Sequence, residues 1–232
     1  MKTIKINIEK FLLEQQERLK TNSYDKYLEI LELFTIYLNN LAIHSLDESD
    51  RLIFERNFIE GRKEFCDIFS PDILNASHFE EFMDYYMIRK VYTSNSLLKA
   101  VGVVLKKYVK WLYEHRYMSE VKFQESFEII KDLKGDLPQS GKLSDLIYNY
   151  IDKSRCDSYT KSRGGYFSVV NIESGKLWLV DEFDGDNIGP VYVSNDISSR
   201  CKKGWVICLE LGKTAKGWVM ISSGNVYPQG FI

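Results

Sequence analysis

The sequence predicts an α+β protein, an N-terminal all-α helical bundle followed by a small C-terminal antiparallel β-domain of SH3-like or OB-like barrel form. Two observations carry the prediction, and a third divides the chain. Apolar residues recur at helical spacing through the first 135 positions, the period of a helix that buries one face. From Tyr166 onward the period becomes two, as in half-buried strands. Between the two textures, Gly135, Pro138, Ser140 and Gly141 form a polar break of the kind that punctuates chains. The expected division is therefore 1–135 for the bundle, 136–165 for a linker with a short helix, and 166–232 for the β-domain.

Each element follows from its residues. Asn22–Leu46 spaces Tyr24, Tyr27, Leu28, Leu31, Phe34, Ile36, Leu38 and Leu41 as a helix does, with Thr21 to Ser23 as cap candidates. A second helix is expected over Arg51–Phe65, with Phe54, Phe58 and Phe65 on one side. Pro71 opens a short helix, because proline suits the first turn. Ser77–Val91 continues with Phe79, Phe82, Met83, Tyr86 and Met87. The helix of Thr93–Arg116 comes next, and Val121–Leu133 forms one more, ending at Lys134-Gly135. Leu143–Ile151 is a short amphipathic helix, and Arg155–Gly165 is polar and turn-rich. Tyr166–Ile172 and Lys176–Glu182 flank Glu173-Ser174-Gly175 as a hairpin. Pro190–Ser194, Trp205–Leu211 and Trp218–Ser222 supply further short strands. So many short strands in so little chain suggest closure, which removes open sheet edges.

Composition narrows the function classes. The chain has 232 residues and is 44% hydrophobic, enough for a real core and too apolar for global disorder. No apolar run reaches the length of a membrane span. The charged N-terminus has no signal-peptide core, so a cytoplasmic protein is expected. Cys66, Cys156, Cys201 and Cys208 form no C-x-x-C pair and read as free, mostly buried thiols. His44, His78 and His115 stand at no ligand spacing to them, so neither a metal nor a cofactor is expected.

Net charge is −2, but it is unevenly spread. Residues 1–88 carry 10 basic and 17 acidic side chains, residues 89–139 carry 10 and 6, and residues 140–232 carry 11 and 10. The basic segment centres on the helix TSNSLLKAVGVVLKKYVKWLYEHR. At about 100° per residue, Lys99, Lys106 and Lys110 form one stripe. Leu97, Val101, Val104, Leu105, Tyr108, Trp111 and Leu112 gather opposite. A basic patch on an acidic protein steers polyanions, so double-stranded DNA is the expected partner.

SYDKYLEILELFTIYL followed by SNSLLKAVGVVLKKYVKWLYEHRYMS resembles the core-binding domain of tyrosine recombinases, a SAM-like helical bundle. Tyr27, Phe34, Tyr37 and Leu38 match the family's first long helix, and Tyr108, Trp111 and Leu112 match a later one. The resemblance spans roughly Ile4 to Ser119. It implies a domain that grips one side of duplex DNA. Ser94, Asn95, Ser96, Lys99, Lys106 and Lys110 would face phosphates, with Lys107 and Arg116 adding charge. The family's catalytic H-x-x-R is missing, since His44 is followed by Asp47, His78 by Glu81 and His115 by Met118. The expected function is therefore DNA binding without catalysis. The alternative is a protein-interaction module acting through the β-domain.

Other constellations read as structure. DEFDGDN, with Asp181, Glu182, Asp184 and Asp186, lacks the closing glutamate of a calcium loop and reads as a turn. Ser162-Arg163-Gly164-Gly165 reads as a flexible entry to the β region. Of Trp178, Trp205 and Trp218, two are expected in the core.

Overall fold

A computed structural model describes residues 2–91, 94–154 and 158–228. The chain forms two compact units, Met1–Met87 with Ser96–Lys134, and Ile88–Asn95 with Gly135–Ile232. Cys156 and Thr93 lie outside the described residues.

The first unit is helical. Helix α1 (Ile4–Gln16) and α2 (Thr21–Asn40) pack side by side. On α2, Tyr27, Ile30, Leu31, Phe34, Tyr37 and Leu38 are buried, the three-four spacing of one face. The Asp47 carboxylate accepts the Asp50 N–H at 2.8 Å and starts α3 (Glu48–Gly61). The second helix expected to reach Phe65 thus ends earlier, and Phe65 opens α4 (Phe65–Ile68). Helix α5 (Ala76–Glu81) runs through a π turn over Phe82–Tyr86 into α6 (Met87–Arg89). Phe34 lies 5.3 Å from Phe79 and 5.1 Å from Phe82, ring to ring, at the centre of this core. Helix α7 (Asn95–Glu114) buries Leu97, Val101, Val104, Leu105, Tyr108 and Leu112. At Gly102 a methyl group would stand 2.6 Å from Lys134 Cβ, so α7 meets the following helix backbone to backbone.

That helix, α8 (Glu120–Lys153), corrects the expected linker. The break at Gly135, Pro138, Ser140 and Gly141 is helical, and the helices expected over Val121–Leu133 and Leu143–Ile151 are one. The reason is a stripe that never stops. Ile130, Leu133, Leu137, Leu143 and Ile147 are all buried at helical spacing. Pro138 offers no N–H to the Lys134 carbonyl. Close by, the Gln139 side chain donates to the Gly135 carbonyl and the Ser140 hydroxyl to the Leu137 carbonyl, each at 2.9 Å. Burial along the stripe outweighs a proline that costs a helix interior about 3 kcal/mol. Replacing it also loosens the unfolded chain, by up to about 1 kcal/mol. Pro138→Ala is therefore expected to stabilise the protein by about 2 kcal/mol. The urea midpoint at constant slope reads this, and a lowered midpoint would contradict it.

In the second unit five strands close into a barrel in the order β1-β2-β3-β5-β4. They are β1 (Lys161–Glu173), β2 (Lys176–Asp181), β3 (Asn187–Tyr192), β4 (Val206–Lys213) and β5 (Trp218–Tyr227), with α9 (Asn195–Arg200) between β3 and β4. The sheet is mixed, not antiparallel throughout, because β3 and β5 run parallel. Parallel neighbours need a crossover, here the path through α9 and β4. Strand β1 pairs with β4 over Lys161–Ser168 and with β2 from Phe167 onward. Ser162-Arg163-Gly164-Gly165 is thus paired strand, not a flexible entry. Its weak local propensity is overridden by the ladder with β4.

Phe167, Val169, Leu177, Leu179, Ile188, Val191, Ile207, Leu209 and Leu211 fill the barrel. Leu143 and Ile147 of α8 and Ile197 of α9 complete this core. Trp205 is buried within it, Trp218 is partly exposed but packs against it, and Trp178 does neither, so two tryptophans join the core as expected, one of them at its edge. Leu177 and Leu179 take the inward positions of β2 and leave Trp178 outward.

The acidic cluster forms the β2–β3 turn. Arg163 meets Asp181 at 2.9 Å and Asp186 at 2.8 Å, and also pairs with Asp184. The turn is closed by the Asp186 N–H on the Asp184 carboxylate at 3.0 Å, with Gly185 at φ 75°.

Candidate nucleic-acid interface

The helical unit presents its cations around α7. The apolar face of α7 is held against α1 and α2 by Phe11, which lies 5.3 Å from Tyr108 and 5.7 Å from Trp111. The Trp111 indole N–H donates to Glu14 at 2.7 Å. The solvent side of α7 is therefore fixed in direction.

Lys99, Lys107 and Lys110 are exposed, and Lys106 is half-buried. The ammonium of Lys106 sits 4.0 Å from the Phe127 ring centroid on α8. Lys107 leans the other way, 5.4 Å from the Tyr27 ring on α2. Lys110 lies 3.5 Å from Glu114, one turn on. Ser96 accepts a hydrogen bond from Lys26 Nζ at 2.8 Å. Arg116 is exposed beyond the helix end at φ 60°. Asn95 opens α7 and Ser94 immediately precedes it.

Lys107 joins two shallow depressions of about 280 Å³ each. One is lined by Gln15, Arg18, Lys107, Lys110 and Glu114 over Phe11 and Trp111. The other is lined by Ser23, Lys26 and Lys107 over Tyr27 and Val104. Four cations from three places in the sequence thus border the two depressions, Arg18 after α1 and Lys110 on α7 at one, Lys26 on α2 at the other, and Lys107 on α7 at both. Glu114 offsets part of that charge. The periodicity of α7 could not find Arg18 or Lys26. Their only signal was that both flank the α1–α2 turn, and nothing in the spacing tied that turn to α7.

A separate concavity of about 490 Å³ is lined by Ser45, Asp47, Asp50, Asp72, His78 and Lys122, among others. Ser45 Oγ stands 3.3 Å from His78 Nε2, and His78 Nδ1 stands 2.9 Å from Asn75 Oδ1. This has the outline of a nucleophile, a base and an orienting group. The hydrogen bonds give it another meaning. The Ser45 hydroxyl already donates to the Ala42 carbonyl at 2.8 Å, so its proton is engaged away from Nε2. Nδ1 accepts the Asn75 N–H at 3.3 Å, closing the cap of α5. Burial, with Lys122 adding, pushes the His78 imidazole down to about 4. A base that weak is poorly matched to activating a hydroxyl at neutral pH.

Among the described residues, no group of three or more His, Cys, Asp or Glu is placed to hold a metal ion. Cys66 and Cys201 are buried free thiols and Cys208 is partly exposed. No described helix is long and apolar enough to cross a membrane. Comparison of the chain with protein-family models, curated proteins and solved structures finds no match.

Proposed function

We propose that this chain is a non-catalytic DNA-binding protein, related to the DNA-gripping domain of tyrosine recombinases, in which the helical unit holds duplex phosphates. The carrying observation is the pair of depressions that share Lys107, one bordered by Arg18 and Lys110 and the other by Lys26, each with an apolar floor. Cations that border shallow depressions suit a backbone of closely spaced phosphates. The residues behind the recombinase resemblance, Tyr27, Phe34, Tyr37, Leu38, Tyr108, Trp111 and Leu112, are all buried. They speak for a shared bundle, SAM-like in the family, and the depressions speak for the DNA.

The barrel reads as OB-like in preference to SH3-like. Its order β1-β2-β3-β5-β4, the parallel β3–β5 pair and the helix between β3 and β4 support that reading. OB barrels commonly bind oligonucleotides or oligosaccharides.

The test is duplex binding across a salt series. The logarithm of the affinity should fall linearly with that of the salt concentration. Arg18→Gln, Lys107→Gln and Lys110→Gln together should make the slope shallower by up to about 2.7, or about 0.9 for each phosphate no longer neutralised. A triple variant that binds with the parent's affinity and slope would sink the reading.

A second reading, a protein partner on the barrel, is favoured by Phe183. This ring is 96% exposed at the tip of the turn that Arg163 pins. A partner retained after nuclease treatment and released by Phe183→Ser would favour it.

A further inference from the structure

The turn between β2 and β3 holds an aromatic ring in water on a backbone tied at every residue. Phe183 is 96% exposed, and its N–H donates to the Asp181 carboxylate at 2.9 Å. The Glu182 N–H donates to the Tyr166 carbonyl and the Gly185 N–H to the Asp181 carbonyl, each at 2.9 Å. The Asp181 N–H donates to the Asp186 carbonyl at 3.0 Å. From β1, Arg163 pairs with Asp181, Asp184 and Asp186. Single exposed apolar residues are common and need no partner. This ring differs in its mounting, because a group on a fixed turn loses little freedom when it is bound. Carboxylates flank it. Asp184 and Asp186 keep 53% and 65% of their side chains exposed beside Arg163.

The helical unit carries the opposite surface. One of its depressions has Leu19, Tyr27, Val103 and Val104 for a floor, with Lys26 and Lys107 on the rim. At about 280 Å³ it admits one phenyl ring. The rim is set in advance. Lys26 Nζ donates to Ser96 Oγ at 2.8 Å, and Lys107 Nζ lies 5.4 Å from the Tyr27 ring. The neighbouring depression adds Arg18 and Lys110, with Glu114 as its carboxylate.

The turn is thus a protruding ring among carboxylates that Arg163 offsets only in part, and the depression is an apolar hollow among cations that Glu114 offsets only in part. Complementary potentials of this kind choose a partner and speed its encounter. The chain itself supplies both halves.

We infer that the Phe183 turn of one copy docks in the Lys26–Lys107 depression of a second copy of this chain. The ring covers Tyr27 and Val104, and Asp184 and Asp186 face the two lysines. The inference rests on the second reading above, in which the barrel meets a protein, and names that protein. One ring and a few charges make a small interface, so the association is weak and reversible.

Sedimentation equilibrium of the full chain at concentrations up to about 1 mM reads it. The parent's mass should rise with concentration, and less so at high salt, which screens exposed charges. Phe183→Ser should weaken the association by about tenfold or more, the share of one buried phenylalanine. Lys107→Glu should weaken it by a similar factor, because it sets like charges against each other. Both residues are exposed, so the circular dichroism of each variant should match the parent's. Mixing identifies the contact. Phe183→Ser keeps the depression and Lys107→Glu keeps the turn, so an equal mixture should be heavier than either variant alone at the same total concentration. A parent that stays monomeric overturns the inference. So do variants that associate as the parent does, or a mixture no heavier than its components. A foreign protein released by Phe183→Ser from a monomeric parent also overturns it, while leaving the reading of the barrel as a protein-binding surface intact. Duplex affinity is measured apart from mass, so a failure of DNA binding leaves this test unchanged.

Discussion

Trp205→Ala should cost the protein about 3–5 kcal/mol, the range for a buried tryptophan cut back to a methyl. Trp205 is 2% exposed and immediately precedes β4. Its carbonyl accepts the Val169 N–H at 2.9 Å, and the Gly204 N–H donates to the Val169 carbonyl at 2.8 Å, so the backbone on both sides is tied to β1. That backbone leaves the cavity few ways to collapse, which places the cost toward the upper end of the range. Lys202 Nζ lies 5.3 Å from the same ring. Trp178→Ala, on the outer face, should cost much less because its ring already meets water. Urea unfolding of the two variants beside the parent checks this. Equal losses would mean that Trp178 belongs to the core after all.

The two tryptophans show what the sequence could yield. The alternation through Leu177, Trp178 and Leu179 already placed Trp178 opposite the leucines, so its outward position was legible from period alone. The bundle was legible for the same reason, since the buried positions of α2 and α7 are those their helical spacing selects. Helix α8 was misjudged because Gly135 and Pro138 are local signals. The stripe from Ile130 to Ile147 is a longer one, and tertiary burial follows the longer one. Barrel closure was anticipated from strand count, but the parallel β3–β5 pair depends on contacts that no local pattern encodes. The site was partly legible. The lysines of α7 were visible as a stripe, yet Lys106 turns to Phe127 and Lys107 to Tyr27. Arg18 and Lys26 join the depressions only because α1 and α2 fold against α7. Arg163 and its three aspartates are likewise a meeting of distant residues that turn propensity alone does not foresee.

The stability of the helical unit should respond to pH through two groups that oppose each other. Burial, with Glu80 and Glu81 adding, pushes the Asp84 carboxyl up from 3.8 to about 7. It sits in the π turn of Phe82–Tyr86, beside the Glu81 carboxylate that accepts the Tyr37 hydroxyl at 2.8 Å. Burial pushes His78 down from 6.5 to about 4. The signs follow from which state holds more protons. Between about pH 4 and 7 the folded state holds the Asp84 proton and the unfolded state does not, so this group lowers stability as pH rises. Between about pH 4 and 6.5 the unfolded state holds the His78 proton and the folded state does not, so this group raises stability as pH rises. At about 1.4 kcal/mol for each tenfold change in proton affinity, Asp84 is on the order of 4 kcal/mol and His78 on the order of 3, and in the parent they largely offset each other. Asp84→Asn removes one side. Its advantage over the parent should be small near pH 4 and grow to about 3–4 kcal/mol by pH 8. His78→Gln keeps a polar side chain facing Ser45 and removes the other side. The parent's advantage over His78→Gln should shrink by about 3 kcal/mol as pH falls from 7 to 4, because only the parent buries a group that must charge in acid. Each difference between variant and parent removes the carboxylates remote from the substituted group, which titrate alike in both. Urea midpoints at several pH values read both, and an Asp84→Asn advantage that does not change with pH would show that Asp84 is charged in the folded protein.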